Sequence, residues 1–279
     1  MTAISALNSD IDLDTLYKNI TINSNFPFIE HGSQAKGDSH KTKRKSRKPE
    51  KKKTFFNQVT IHVFQDKLVN VKLFNNGKIQ MTGLKYEGHG TKVLNKLIPY
   101  IQELDATNEH KVFTQSEITC EPMNIVLINS DFDIKYKIKR DVLHRAILDA
   151  GLYSSYEPCI YPGVNIKYYF NSNQSNGICK CTAMCTGKGD GLSDGGCKRI
   201  TVAVFKSGKI IITGARSTEQ LELSYHFITN FINGQRVKIE LREHPVMEYN
   251  AAVTIQKCLR GWIHRIRRSS KQQTHNIAK

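Results

Sequence analysis

The sequence has no apolar run approaching the ~20 residues that a membrane-spanning helix needs. It also opens without the charged start and apolar core of a secretion signal, so a membrane or secreted protein is not expected. It is short of acid: 25 Asp and Glu stand against 41 Lys and Arg, a net charge of +16. That imbalance favours a polyanionic partner, nucleic acid first and an anionic membrane surface second. No phosphate-binding glycine loop and no nucleophile constellation is present; the GKGDG string at 187–191 is too weak a match to count. Two carboxylate pairs, Asp10 with Asp12 and Asp131 with Asp133, fall where strands give way to helices. They read as helix caps rather than as an acid–base pair, so no enzyme is expected. The seven cysteines, without a secretion signal, suggest reduced thiols or metal ligands rather than a disulfide framework.

What is present is a repeat. VNVKLFNNGKIQMT, from Val69 to Thr82, returns as ITVAVFKSGKIIIT, from Ile200 to Thr213. Without a gap, Phe74, Gly77, Lys78, Ile79, Thr82 and Gly83 fall on Phe205, Gly208, Lys209, Ile210, Thr213 and Gly214. A shorter echo precedes each copy, Asn8-Ser9-Asp10 and Asn129-Ser130-Asp131. Two copies are too few for a solenoid and imply two similar subdomains about a pseudo-two-fold axis.

The apolar spacing predicts a strand and then a helix within Ile4 to Ile20, capped by Asp12 or Asp14. Ile22 to Ile29 carries Pro27 and is at best an edge strand. Gly32 to Lys53 is basic and almost without apolar residues, and is expected to be a disordered loop that links, addresses or touches nucleic acid. Strands are predicted over Phe55–Val63 and Val69–Phe74 with a turn at Gln65–Leu68, then a tight hairpin at Asn75-Asn76-Gly77 and a return strand at Lys78–Thr82. An amphipathic helix follows over Thr91–Leu104. The second copy repeats the plan: strand 124–129, helix 139–150, strand 164–170, an insertion at 171–197, a hairpin about Ser207-Gly208 and a helix at 219–232. The expected units are 1–110, 111–236 and a basic C-terminal helix in 237–279.

Alternation places Lys72 and Phe74 on one face and Val71 and Leu73 on the other; Ala203 and Phe205 likewise oppose Val202 and Val204. Gln80 and Thr82 correspond to Ile211 and Thr213. Scattered apolar residues on a solvent face need no function. A Phe beside a Gly turn in both copies, on a basic sheet, instead suits stacking or wedging against bases.

At these residues the chain resembles the TATA-box-binding protein family. The match rests on Ser154-Ser155-Tyr156-Glu157-Pro158, Tyr161-Pro162-Gly163 and FKSGKIIITGAR from Phe205, with FNNGKIQMTGLK from Phe74 as the weaker copy. The basic loop and the cysteine-bearing insertion look like the divergent versions in giant DNA viruses. The resemblance implies an α+β fold, a saddle of two repeats with helices on the convex side. It implies a minor-groove DNA binder that bends AT-rich promoter DNA; the bend is a property of that family and not something these residues give by themselves. Carried over residue by residue, Phe56 with Phe74 and Tyr161 with Phe205 are the wedges. Thr82, Asn124, Thr213, Gln80 and Ile211 face the groove floor, and Lys78, Lys85, Lys167, Lys209 and Arg216 hold phosphates. Asn124 has no asparagine mate near Thr2 or Ala3, and His62 stands where the family has Arg. Lys72 and Gln80 occupy usually aliphatic positions, so the first half-site would tolerate something other than a plain TATA element. Glu157 matches a contact to a factor-IIB-like protein, which with RNA polymerase would be the partner. The expected site of action is a nucleus or a cytoplasmic viral factory. The alternative is a degenerate saddle that serves as a protein scaffold.

Two features lie beyond the resemblance. Cys179, Cys181, Cys185 and Cys197 lie in a glycine-rich loop and suit a tetrahedral zinc site, with unliganded thiols or a disulfide as alternatives. No other cofactor is expected. From Ala251 to Arg268 the chain looks like an IQ motif, with Ile255, Gln256, Arg260, Gly261 and Arg265 matching. As physics this is a basic amphipathic helix suited to a calmodulin-like groove or to the protein's own convex face.

Overall fold

The computed structural model describes residues 1–39, 55–173 and 176–241. Most of the expected basic loop and the five IQ-motif residues, Ile255, Gln256, Arg260, Gly261 and Arg265, lie outside these residues. The first half contains β1 (Thr2–Ala6), α1 (Leu13–Asn19), β2 (Phe28–His31), β3 (Gln34–Gly37), β4 (Gln58–Gln65), β5 (Lys67–Phe74), β6 (Lys78–Thr82) and α2 (His89–Thr107). The second contains β7 (Asn124–Asp133), α3 (Arg140–Asp149), β8 (Tyr153–Ser155), β9 (Val164–Phe170), β10 (Lys198–Val204), β11 (Lys209–Ala215) and α4 (Thr218–Ile239).

The strands form one antiparallel sheet in the order β3-β2-β4-β5-β6-β1-β7-β11-β10-β9-β8. Read outward from the central β1–β7 pair, the two halves have the same order, with β3 as an extra strand on one edge. This is the α+β saddle plan expected from the sequence. Alternation decides the layers. Val59, Ile61, Val71, Leu73, Ile79 and Met81 point to one side and pack with Leu16 of α1 and Val93, Leu97 and Ile101 of α2. Ile166, Val202, Val204, Ile210 and Ile212 do the same against Leu143 and Ile147 of α3 and Ile228 and Ile232 of α4. Each such side chain contributes about 1.5–3 kcal/mol by leaving water. Among the described residues there are therefore two cores on one side of one sheet, and the opposite face is left without helices.

Local chemistry sets the boundaries. Asp12 caps α1 by accepting from the backbone N–H of Asp14 and Thr15 at 3.1 and 3.0 Å. Ser217 caps α4 by accepting from Gln220 N. Gly77 and Gly208 turn the two repeated hairpins at φ of 74° and 89°. A Cβ there would lie 2.4 Å from Ser9 O and 2.2 Å from Tyr136 O, so the repeat needs glycine for space as well as for φ.

Four expectations are corrected. Residues 34–37, placed in the basic loop, form β3, because Gln34–Gly37 pair along β2 and gain a ladder despite their polarity. The expected turn at Gln65–Leu68 shrinks to Asp66 alone, at φ 58°. The Asn-Ser-Asp echo is out of register. Thr2 faces Thr82 where Asn129 faces Thr213, so Asn129 is the counterpart of Thr2, not of Asn8. Asn8 instead ties down a loop, donating to Glu117 O and accepting from Thr119 N. Finally, Asp131 and Asp133 are not helix caps. They belong to β7, paired with Ile211 and Lys209, and Lys139 holds the cap position of α3.

The two faces differ in stability cost. Leu73→Ala, which empties a fully buried site, should lower unfolding free energy by about 2–5 kcal/mol. Its neighbour Lys72→Ala should change it by less than about 0.5 kcal/mol. Urea titration of both variants checks the assignment of faces; equal losses would contradict it.

Candidate nucleic-acid interface

The open face is built from residues paired across the sheet. In the first half, one row runs Thr2, Thr82, Asn70, His62, Phe28 and the next Ile4, Gln80, Lys72, Thr60, Glu30. In the second, the matching rows run Asn129, Thr213, Thr201, Lys167, Tyr153 and Asp131, Ile211, Ala203, Asn165, Ser155. Lys72 and Gln80 thus correspond to Ala203 and Ile211, and Ile4 to Asp131. Each half carries a shallow depression at equivalent places. One is lined by Ile4, Phe74, Lys78, Gln80 and Asn124, the other by Asn129, Asp131, Phe205, Lys209 and Ile211.

The strand register makes Phe56 the counterpart of Tyr161, each two residues before the position opposite the hairpin Phe. The two pairs are nevertheless built differently. Tyr161 lies edge-on to Phe205, with ring centroids 5.8 Å apart at 61°. Gly163 makes this possible: a Cβ there would be 2.8 Å from Tyr161 Cε1 and 3.3 Å from Phe205 Cε1. In the first half Gln58 occupies that position, and Phe56, 70% exposed, lies over Gly32 of the β2–β3 turn. Tyr161 keeps 38% of its surface exposed, so its hydroxyl is within reach of solvent.

Thr213 Oγ1 donates to Asn129 Oδ1 at 2.6 Å, which leaves the Asn129 amide NH2 as the donor of the pair. Acceptors are what an A·T pair shows in the minor groove. Sequence reasoning missed Asn129, Thr201 and Asn165; only the register reveals them as one patch. Asn124 is exposed at the start of β7, beside Ile4 of β1. It lies five positions before Asn129, so its counterpart in the first half would precede Thr2, and neither Thr2 nor Ala3 is its mate.

The cations form equivalent pairs. Lys78 and Lys209 follow the hairpin glycines, Lys85 and Arg216 follow Gly83 and Gly214, and all four are exposed. Lys167 is half-buried and donates to Thr201 Oγ1 at 2.9 Å. Burial, then the Arg199 charge, holds its ammonium below the ordinary lysine value. Burial, then Arg216 and Arg199, does the same to Lys198. Positive charge is therefore dense at this end of the second half. His62 holds the place that Lys167 has in the second half, but it is buried under the Phe28 ring at 4.7 Å and bonded to Asn70 at 3.2 Å. It supports the first half from within. Glu157 is exposed on the β8–β9 connection, where its carbonyl accepts from Ile160 N and Tyr161 N. Arg140 braces the connection by donating to Pro162 O and lying over the Tyr156 ring.

The four loop thiols converge: the Sγ atoms of Cys179, Cys181, Cys185 and Cys197 all lie within 4.8 Å of one another. No helix among the described residues is long and apolar enough to cross a membrane.

Exchanging the second half's glycine for the first half's glutamine tests what positions the aromatic pair. Gly163→Gln should displace Tyr161 from Phe205 and abolish the cross-relaxation between their rings in NMR, with the sheet intact. Persistence of that contact would mean that Gly163 is not what admits it.

Residues 123–234 match the family model described as transcription factor TFIID, or TATA-binding protein. The chain is 27% identical over 253 residues to a TATA-box-binding protein-like protein of Acanthamoeba polyphaga mimivirus, covering 84% of this chain and 64% of that one. It is 28% identical over 149 residues to the TATA-box-binding protein of Dictyostelium discoideum, 53% of each chain. The chain thus spans less than two thirds of the length of either relative. Among solved structures, Methanococcus jannaschii TBP aligns with a TM-score of 0.48 at 18% identity, over 84% of this chain and 95% of that one. The second half thus matches the TATA-binding-protein family model, and the alignment with the viral relative extends that similarity over most of the chain.

Proposed function

We propose that this chain is a non-enzymatic transcription-initiation factor that binds AT-rich promoter DNA through the minor groove and bends it. The observation that carries the reading is the pair of equivalent depressions on the open face, each with an aromatic ring and a lysine beside a glycine turn. An aromatic wedge at each end must offset roughly a few kcal/mol of base unstacking per step. Lys78, Lys85, Lys209 and Arg216 hold phosphates on both sides. Lys72 and Gln80 in one half, against Ala203 and Ile211 in the other, make the two half-sites unlike, so the preferred element is AT-rich but not palindromic. Glu157 offers a docking point for a factor-IIB-like protein, and through it RNA polymerase, in a nucleus or a viral factory. The IQ-motif segment would recruit a calmodulin-like protein.

A second reading, a protein-docking scaffold, is favoured by Asp131. Its exposed carboxylate on the open face opposes a polyanion.

A fluorescence bending assay on AT-rich duplexes separates the two. The full chain should bend the duplex. Phe74→Ala and Phe205→Ala should each lose most of the bending while keeping a cooperative thermal transition. A duplex left straight at saturating protein would favour the scaffold. In salt titrations, Lys78→Ala and Lys209→Ala should each reduce the slope of log affinity against log salt by about 0.9.

Recruitment has its own test. One exposed carboxylate is worth roughly up to 1 kcal/mol, so Glu157→Arg should act mainly by repulsion. It should weaken a ternary complex with a factor-IIB-like protein and leave DNA binding unchanged. A ternary complex of wild-type strength would place the partner elsewhere.

A further inference from the structure

The largest difference between the halves lies between β9 and β10. The corresponding strands of the first half turn at Asp66; here residues 171–197 intervene. This insertion has little to hold it as a hydrophobic unit. Met184 and Leu192 are 93% and 69% exposed. Cys197 is nevertheless completely buried, and its Sγ lies 3.3 Å from Cys181 Sγ and 3.8 Å from Cys179 Sγ. A zinc ion bound by four thiolates at ~2.3 Å places its sulfurs about 3.8 Å apart at the corners of a tetrahedron. The four Sγ atoms already approximate that spacing.

The surroundings resemble a built site. The ligands come from two arms, Cys179, Cys181 and Cys185 from the first and Cys197 from the end of the second. Asp194 ties the arms together, accepting from Thr182 N, Ala183 N and Thr182 Oγ1 at 2.9, 2.9 and 2.6 Å. Gly189 and Gly196 let them cross; a Cβ on Gly189 would be 2.0 Å from Gly196 O. Asn171, itself buried, donates to Cys197 Sγ at 3.6 Å and to Ser193 O at 3.0 Å. Hydrogen bonds to ligand atoms of this kind orient and tune metal sites.

The insertion also touches the open face. Arg199 N donates to Gly187 O at 2.8 Å, and Gly187 packs so closely that a Cβ would lie 2.8 Å from Arg199 Cβ and 3.0 Å from the Tyr169 ring. Arg199 and Tyr169 pair across β10 and β9, two residues along from Thr201 and Lys167 on the same face. Gln220 Nε2 of α4 anchors the far side by donating to Asp190 O. Lys188 pairs with Lys198 at the edge.

We propose that Cys179, Cys181, Cys185 and Cys197 bind one structural zinc ion, and that the metal seats the insertion against the basic end of the second half so that Lys188 and Arg199 extend its polyanion contact. Binding releases the four thiol protons to solvent. No redox step is involved. The second clause rests on the DNA-binding reading above; the first does not.

The test uses the full chain, with zinc alone as the probe. Metal analysis should give about one zinc per chain for wild type and for Cys120→Ser/Cys159→Ser, whose exposed thiols lie outside the cluster. The quadruple serine variant at 179, 181, 185 and 197 should have none. Should that variant fail to fold, thiol titration of native wild type decides: four further thiols should react only after chelation. Zinc-free wild type whose four thiols react freely, equal zinc in the quadruple variant, or a Cys181–Cys197 disulfide by mass spectrometry would each overturn the site. On an AT-rich duplex, chelation should lower the salt slope by about 2, the contribution of two phosphate contacts. An unchanged slope would overturn the seating role. Zinc bound at one per chain with no DNA binding at all would overturn the DNA reading and leave the metal site standing.

Discussion

The pairing of β1 with β7 is the constraint on which the rest depends. Each half has its own core, and the two clusters share only the partly buried Met1. What joins their strands into one sheet is a ladder in which Thr2, Ala3 and Ile4 meet Leu127, Ile125 and Asn124. Because both strands are central, every other strand is counted outward from that seam. The seam fixes which rows run across both halves, where the two depressions fall, and that the aromatic pairs stand toward opposite ends. The register shifts between Thr2 and Ala3, which leaves Val126 as the extra residue of the seam, two positions after Asn124.

The two halves share a plan but not a chemistry. The repeated Phe-x-x-Gly-Lys hairpins give equivalent aromatic rings and equivalent cations, because a glycine at positive φ and a following lysine are local properties. Between those fixed points the halves diverge. Lysine and glutamine lie where the other half has alanine and isoleucine, a buried histidine where the other has lysine, and Gln58 where the other has Gly163. Each difference alters what the open face offers while leaving the buried face unchanged. That is how a duplicated fold acquires direction: a two-fold scaffold with unequal halves distinguishes the two ends of a ligand.

The cysteine insertion extends the same logic. Lengthening a hairpin costs little loop-closure entropy, since the cost grows slowly with length. A long polar loop then needs something other than apolar burial to hold it, and four thiols converge within it. The insertion thus adds surface to one half only and reinforces the asymmetry already present in the strands.

The sequence by itself determined the elements whose signals are local. The hairpins at Gly77 and Gly208, the Asp12 cap, the strand Lys78–Thr82 and the alternation that buries Leu73 but not Phe74 all follow from neighbours within a few residues. It also marked Phe74, Phe205, Lys78 and Lys209 as a repeated pattern, and Cys179 to Cys197 as a cluster. What only the tertiary structure decided is everything that depends on register between distant segments. The Asn-Ser-Asp echo misled because similar strings do not oblige equivalent pairing; Asn129 meets Thr213 through a strand 84 positions away. Asp131 and Asp133 became strand residues because β11 offers Ile211 and Lys209 as ladder partners beyond the end of the β1 seam. Gln34–Gly37 became a strand because β2 offered an edge. Phe56 lies over Gly32, where Gln58 stands opposite Phe74, while Tyr161 meets Phe205 over Gly163 in the other half. A sequence specifies each segment's preference, but which segments share a row is set by long-range ladder pairing and packing, and those energies are not written in any one stretch of chain.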